Sequence, residues 1–108
     1  MSAIKTRVQE MISQTGKVLV FSKTWCPYCT EAKEVFSSVD VQYETIELDK
    51  VADGDKIQAA LHEITGQKTV PNIFVGGTHI GGCSDLKAKI ASGKIIEIFD
   101  QHNIPYSI

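Results

Sequence analysis

Residues 18–29 have the sequence VLVFSKTWCPYC, in which a short apolar run is followed closely by a Cys-x-x-Cys motif. The first four residues contain no polar side chain, as expected of a strand that is buried on both faces of a sheet. Beyond the motif, Ala32, Val35 and Phe36 recur at helical spacing. The stretch therefore predicts a central strand, a turn that carries two cysteines, and a helix that follows the turn.

Three further elements are predicted on either side of this unit. Apolar residues within 4–12 follow helical spacing, and Gly16 is expected to stop that helix. Residues 41–48 alternate in part between apolar and polar side chains, which predicts a second strand. Residues 57–64 again follow helical spacing, and Gly66 is expected to end this third helix.

The last part of the chain predicts a hairpin and two helices. Residues 72–80 contain two strand-like segments, 72–75 and 78–80, separated by Gly76 and Gly77, a pattern typical of a hairpin with a two-residue turn. Residues 85–91 and 94–101 follow as helical segments. The order α-β-α-β-α-β-β-α-α predicts an α/β fold, a four-stranded mixed sheet flanked by helices, whose first β-α-β unit is right-handed and parallel.

Length and composition predict one globular domain over residues 1–108. With 43% hydrophobic and 22% charged residues, a chain of this size can bury a core without disulfide staples, so its cysteines are free to serve chemistry. Three cysteines, two of them spaced Cys-x-x-Cys, are not the pattern of a secreted disulfide framework.

Charge and hydropathy indicate which partners to exclude. Eleven basic and thirteen acidic side chains give a net charge of −2 without long runs of one sign, so neither nucleic acid nor a membrane surface is an expected partner. The first residues lack the apolar core of a signal peptide. We therefore expect a cytoplasmic monomer in a reducing compartment, with no bound metal.

The Cys-x-x-Cys motif has the properties of a reactive thiol pair. Pro27 suits the first position of a helix, which makes Cys26 the N-cap and exposes its sulfur to free backbone N–H groups and the positive end of the helix dipole. Both effects favour thiolate at Cys26, and Lys23 adds a nearby positive charge. Cys29 lies one turn inside the helix, more shielded, and close enough for a disulfide that forms and opens readily.

Three other uses of the motif remain possible at this stage. The first is half of a zinc site, for which the spacing of His62, His79 and His102 does not supply the other half. The second is an inert core pair, against which the N-cap position argues. The third is a ligand pair for an iron–sulfur cluster that is shared between two chains.

The sequence Cys26-Pro27-Tyr28-Cys29 resembles the active site of the dithiol glutaredoxins, whereas thioredoxins more typically have Gly-Pro between the cysteines. Two further segments, Thr69-Val70-Pro71 and Gly81-Gly82-Cys83-Ser84-Asp85, match the other signatures of that family in order and distance. The likeness spans nearly the whole chain. It implies a thioredoxin-like fold and glutathione as reductant.

The resemblance also implies a glutathione site. Val70 would pair with the cysteinyl unit through its backbone beside a cis Pro71, and the N-terminus of the helix at Ser84 would bind the γ-glutamyl carboxylate, with Asp85 near the ammonium. Cations and amides would bind the glycine carboxylate, with Lys68 in a position where relatives often have Arg. The implied contacts are Lys23, Tyr28, Gln58, Lys68, Thr69, Val70, Pro71, Gly82, Cys83, Ser84 and Asp85.

Several of these residues also have simpler explanations. Lys23 and Lys68 are common solvated charges, Tyr28 is an exposed ring, and Ser84 or Asp85 caps a helix. Cys83 fits best as a small, half-buried apolar residue, with a regulatory thiol as the alternative. Trp25 directly precedes the nucleophile and is expected to shield it.

The predicted activity is glutathione-dependent reduction of protein–glutathione mixed disulfides and protein disulfides. Cys26 is the predicted nucleophile and Cys29 the resolving thiol, so the partners are glutathione and glutathionylated or disulfide-containing proteins. Two alternatives stay open: an iron–sulfur carrier bridged through Cys26 and glutathione, and a thioredoxin-type reductant served by a flavoenzyme.

Overall fold

The computed structural model describes residues 3–14 and 16–108. Within these residues, the elements follow the predicted order. They are α1 (Ala3–Ile12), β1 (Val18–Ser22), α2 (Pro27–Ser38), β2 (Glu44–Glu47), α3 (Gly54–Thr65), β3 (Asn72–Val75), β4 (Thr78–Gly81), α4 (Cys83–Ser92) and α5 (Lys94–Gln101). No helix in this part of the chain is long and apolar enough to cross a membrane.

The strands form one mixed sheet in the order β2-β1-β3-β4. β1 is parallel to β2, as the β-α-β unit predicts, and β3 is antiparallel to both β1 and β4. Gly76 and Gly77 both have positive φ in the hairpin turn, which suits glycine. The predicted α/β class and four-stranded mixed sheet are confirmed.

The sheet separates two apolar clusters. Alternate residues of β1 and β3 point to opposite faces, so Val20 and Ile73 pack with α2, α4 and α5, whereas Phe21 and Phe74 pack with α1 and α3. The rings of Phe21 and Phe74 meet edge to face, with centroids 5.9 Å apart. Burial on both faces explains why residues 18–21 of β1 and 73–75 of β3 are all apolar.

Three element boundaries differ from the predicted ones. β2 begins at Glu44 because the Val41 N–H is used at the end of α2, where it donates to the Phe36 carbonyl at 2.9 Å. α1 ends at Ile12, where the Ser13 hydroxyl bonds back to the Gln9 carbonyl at 2.6 Å. α4 begins at Cys83, two residues earlier than the apolar spacing predicts.

The C-terminal segment returns along α2. The Ser107 N–H donates to the carbonyl of Val39, the C-cap of α2, at 2.8 Å. Tyr106 packs on Phe99 of α5 with ring centroids 5.6 Å apart. These contacts hold the tail at the end of α2 that is opposite Cys26.

The topology brings three segments to one edge of the sheet. In the antiparallel pair, Phe21 near the end of β1 lies opposite Asn72 at the start of β3, and Ile73 lies opposite Gly81 at the end of β4. The turn after β1, the loop before β3 and the start of α4 therefore lie together. These segments carry the three sequence signatures.

Candidate active site

Cys26 is the N-cap of α2. Its backbone is extended, with φ −89° and ψ 114°, and its sulfur accepts a hydrogen bond from the Cys29 N–H at 3.2 Å. Pro27 occupies the first turn, where it lacks only an N–H that would have no helical partner. The predicted cap geometry is confirmed, and it places Sγ at the positive end of the helix dipole.

The turn that leads to Cys26 is fixed by Asp49, which follows β2. The N–H of Thr24 donates to Asp49 Oδ1 at 3.0 Å, and the Thr24 hydroxyl donates to Oδ2. These bonds hold the pKa of the Asp49 carboxyl below its ordinary value. Asp49 was missed in the sequence analysis, although its place just after a strand beside the Cys-x-x-Cys turn was a usable signal.

Cys29 lies deeper in the protein than Cys26. Cys26 is 6% exposed and Cys29 is fully buried. Burial, together with a hydrogen bond to Cys26, raises the pKa of Cys29 to about 11. Cys29 is therefore held as a thiol behind the Cys26 sulfur.

The loop before β3 faces this pair. The Val70–Pro71 peptide bond is cis, as the family resemblance implies. The Val70 carbonyl lies 3.8 Å from Cys26 Sγ, so the backbone of Val70 borders the Cys26 sulfur. The side chain of Gln67 donates to the carbonyls of Thr69 at 3.1 Å and Pro71 at 2.9 Å.

The start of α4 closes the other side of the site. Asp85 is the third residue of the helix, and its Oδ2 accepts the Gly82 N–H at 2.9 Å. Gly81 has φ +116°, and a Cβ there would lie 2.3 Å from Asp85 Oδ2, so this approach requires glycine. Capping by Asp85 is thus observed, and it leaves the exposed Ser84 beside the helix N-terminus.

These segments enclose a groove of about 580 Å³. Eight of the eleven predicted glutathione contacts line it: Tyr28, Thr69, Val70, Pro71, Gly82, Cys83, Ser84 and Asp85. Gln67 lines it as well and was not predicted; nothing in its sequence context distinguishes it from a surface glutamine.

The three remaining predicted contacts, Lys23, Gln58 and Lys68, do not line the groove. The Lys23 ammonium lies 5.5 Å from the centroid of the Trp25 ring. The Gln58 amide donates to the Lys68 carbonyl at 2.9 Å, which ties α3 to the loop. Trp25 is 69% exposed and projects into solvent.

Cys83 is buried at the first position of α4, where it lines the groove beside α2. It lies near Glu31, which forms an ion pair with Lys87 between α2 and α4. Burial raises the pKa of Cys83, and the negative charge of Glu31 adds to this effect. The structure buries Cys83 more deeply than the half-buried position that the sequence favours.

The sequence is similar to those of known proteins over most of its length. The family model described as Glutaredoxin matches residues 18–80. A glutaredoxin of Ricinus communis is 46% identical over 96 residues, 89% of this chain and 93% of the relative. Glutaredoxin-1 of Rhizophagus irregularis is 47% identical over 95 residues, 88% of this chain and 93% of the relative.

Solved structures of glutaredoxins are also similar to this chain. The buckwheat glutaredoxin–glutathione complex has a TM-score of 0.87 at 43% identity, over 93% of this chain and 90% of that one. The holo form of glutaredoxin C1 from Populus tremula x tremuloides has a TM-score of 0.88 at 37% identity, over 94% of this chain and 99% of that one. The resemblance and the thioredoxin-like fold that the sequence predicts are confirmed.

Proposed function

The chain belongs to the glutaredoxin family of glutathione-dependent thiol–disulfide oxidoreductases, and from this premise we propose that it reduces protein–glutathione mixed disulfides with Cys26 as nucleophile. Protein disulfides are the second substrate class, for which Cys29 is the resolving thiol. The observation that carries the proposal is the N-capping Cys26 sulfur, bonded by the Cys29 N–H at 3.2 Å and bordering the groove at Val70.

In the first half of the proposed cycle, the Cys26 thiolate attacks the glutathione sulfur of a mixed disulfide. The substrate thiolate leaves and takes a proton from solvent, and Cys26 is joined to glutathione. In the second half, a glutathione thiolate attacks the glutathione sulfur of this adduct. Oxidised glutathione leaves and the Cys26 thiolate returns, so each turn converts one mixed disulfide and one free glutathione into one substrate thiol and one oxidised glutathione.

For a protein disulfide, Cys26 attacks one substrate sulfur and Cys29 then attacks Cys26. Cys29 must lose its proton in this step, and a pKa of about 11 makes the step slow until a base receives that proton. The released substrate is a dithiol, and the protein is left with a Cys26–Cys29 disulfide that glutathione reduces. The mixed-disulfide route needs Cys26 alone.

The groove suits the two ends of glutathione. The N-terminus of α4, with Ser84 and the Asp85 carboxylate, suits the γ-glutamyl carboxylate and ammonium. The backbone of Val70 suits the cysteinyl unit, and Lys23, Gln58 and Lys68 remain the proposed contacts of the glycine carboxylate. The buckwheat complex supports this proposal because that relative binds glutathione.

A monomer in the cytoplasm fits this activity. Potentials near −200 to −230 mV are usual for glutaredoxins, and the cytosolic glutathione pool keeps such a site reduced. We therefore propose that the protein works in a reducing compartment.

The test is deglutathionylation of a glutathionylated peptide, with glutathione, glutathione reductase and NADPH, by matched variants. Cys26→Ser is expected to abolish turnover and Cys29→Ser to keep much of it. Loss in Cys29→Ser with retention in Cys26→Ser would reverse the two roles. Turnover that needs a flavoenzyme reductase instead of glutathione would identify a thioredoxin-type protein.

A further inference from the structure

One side-chain amide fastens the loop before β3. Gln67 Nε2 donates to the carbonyls of Thr69 and Pro71, at 3.1 Å and 2.9 Å. These carbonyls belong to the residues on either side of Val70. The carbonyl between them faces Cys26 Sγ instead, at 3.8 Å.

The amide is itself well anchored. The Gln67 N–H donates to Thr65 Oγ1 at 3.0 Å, and the Thr65 hydroxyl donates to the carbonyl of Leu61 within α3 at 2.8 Å. Gln67 therefore extends from the last turn of a helix that packs into the core. Its side chain is half-buried, which limits competition by water for the two carbonyls.

The same threonine connects the loop to the sheet. Asn72, buried to 99%, directs Nδ2 toward Thr65 Oγ1 at 3.5 Å, and its Oδ1 accepts a hydrogen bond from His79 Nε2 at 2.8 Å. A continuous set of polar contacts thus runs from α3 to β4 around the loop. Such a connected set makes the loop rigid on both sides of Val70.

We propose that Gln67 is a positioning residue, which holds the Val70 backbone ready to pair with the cysteinyl unit of glutathione. The inference rests on the proposed function, since it assigns Val70 to that unit. Gln67 acts through the two carbonyls it binds, before any substrate arrives. Its contribution is a lower ordering cost on binding, so it is expressed in the KM and not in the kcat.

The test compares Gln67→Met and Gln67→Glu with the unaltered protein. Met keeps the length of the side chain and removes both donated hydrogen bonds, and Glu places oxygens against the two carbonyls. Gln101→Met, at the exposed end of α5, is the matched control. The readouts are the kcat and KM for a glutathionylated peptide, and backbone ¹⁵N relaxation of Thr69 and Val70 in the free protein.

Gln67→Met is expected to raise the KM about threefold to tenfold, as the loss of one or two ordinary hydrogen bonds implies, with the kcat within about twofold. Relaxation is expected to show added motion at Thr69 and Val70, and Gln67→Glu is expected to show larger effects of both kinds. An unchanged KM overturns the proposal. A raised KM without added motion also overturns it, because Gln67 then contacts substrate directly.

If the unaltered protein does not use glutathione, the proposed function fails, and the assignment of Val70 to glutathione fails with it. The relaxation comparison still decides whether Gln67 orders the loop. The two failures are therefore distinguishable.

Discussion

The Cys29 N–H donates a hydrogen bond to Cys26 Sγ at 3.2 Å, so the backbone of the second cysteine stabilises the sulfur of the first. This bond belongs to the backbone and survives substitution of the Cys29 side chain. The influence is mutual, because burial together with the Cys26 side chain raises the pKa of the Cys29 thiol to about 11.

The first prediction concerns alkylation. Near neutral pH, limiting iodoacetamide is expected to modify Cys26 and to leave Cys29 and Cys83 as thiols, because burial raises the pKa of both. Labelling of Cys29 should rise only as the pH passes 9.0, the ordinary pKa of a cysteine, and approaches the raised pKa of about 11. Peptide mass mapping measures the order, and the urea-unfolded chain, in which all three should react, is the control. Equal labelling of Cys26 and Cys29 in the folded protein would contradict the assignment.

A second prediction follows from Asp49. Asp49→Ala removes both acceptors of Thr24 and frees the turn before Cys26, so kcat/KM is expected to fall several-fold while the fold is retained. Asp49→Asn, which keeps one oxygen acceptor, should lie between it and the unaltered protein. Glu34→Ala, on the exposed side of α2, is the control for loss of a negative charge. Equal activity of Asp49→Ala and the control would show that the turn needs no such support.

Asp49 also predicts that the protein loses stability at acidic pH. Its folded-state pKa is lowered by the bonds from Thr24, so its stabilising contribution is complete above the ordinary value of 3.8 and is lost as the pH falls through the lower folded-state value. Asp49→Ala should therefore lose less thermal stability than the unaltered protein over that pH range. Thermal midpoints measured at a series of acidic pH values check this.

Glu31 predicts how Cys83 can be made reactive. Its negative charge helps to raise the pKa of Cys83, so Glu31→Gln is expected to increase the alkylation rate of Cys83. Added salt should reduce the difference, because the side chains of Glu31 and Lys87 are exposed and screened. Glu34→Gln on the same helix is the control. An unchanged rate would leave burial as the sole protection of this thiol.

The last prediction concerns the two clusters that the sheet separates. Phe21→Leu and Phe36→Leu are each expected to lower the free energy of unfolding by about 1–2 kcal/mol, and their effects should add because the rings share no partner. Phe21→Leu combined with Phe74→Leu should depart from additivity, since those rings are in contact. Urea denaturation measures both pairs. Coupling between Phe21 and Phe36 as strong as that between Phe21 and Phe74 would contradict the separation.

Most of the fold could be predicted because its elements have clear periodic patterns. The apolar run of β1, the Gly76-Gly77 turn and the caps of α2 are local features that tertiary contacts reinforce. The start of β2 could not be predicted from alternation, because Val41 is as apolar as a strand residue and is used by the end of α2. Its hydrogen bond to Phe36 is a property of the helix terminus and leaves no periodic trace.

The site was predictable where chemistry fixes the residue type. A nucleophile at an N-cap, a glycine at φ +116° and an acidic third residue of a helix all leave a sequence signal. Gln67 leaves none, since its role depends on where two carbonyls lie once the loop has folded. The placement of Lys23 over Trp25 is likewise a matter of tertiary geometry.

The tail that returns to Val39 has a practical consequence for handling the protein. The helix α2 has 12 residues and so is about 18 Å long, and Cys26 caps one end while the Ser107 N–H binds the other. A linker attached after residue 108 would leave from the end of this helix that is remote from the groove. Immobilisation on beads or an electrode through residue 108 would therefore leave the Cys26 sulfur facing the solution.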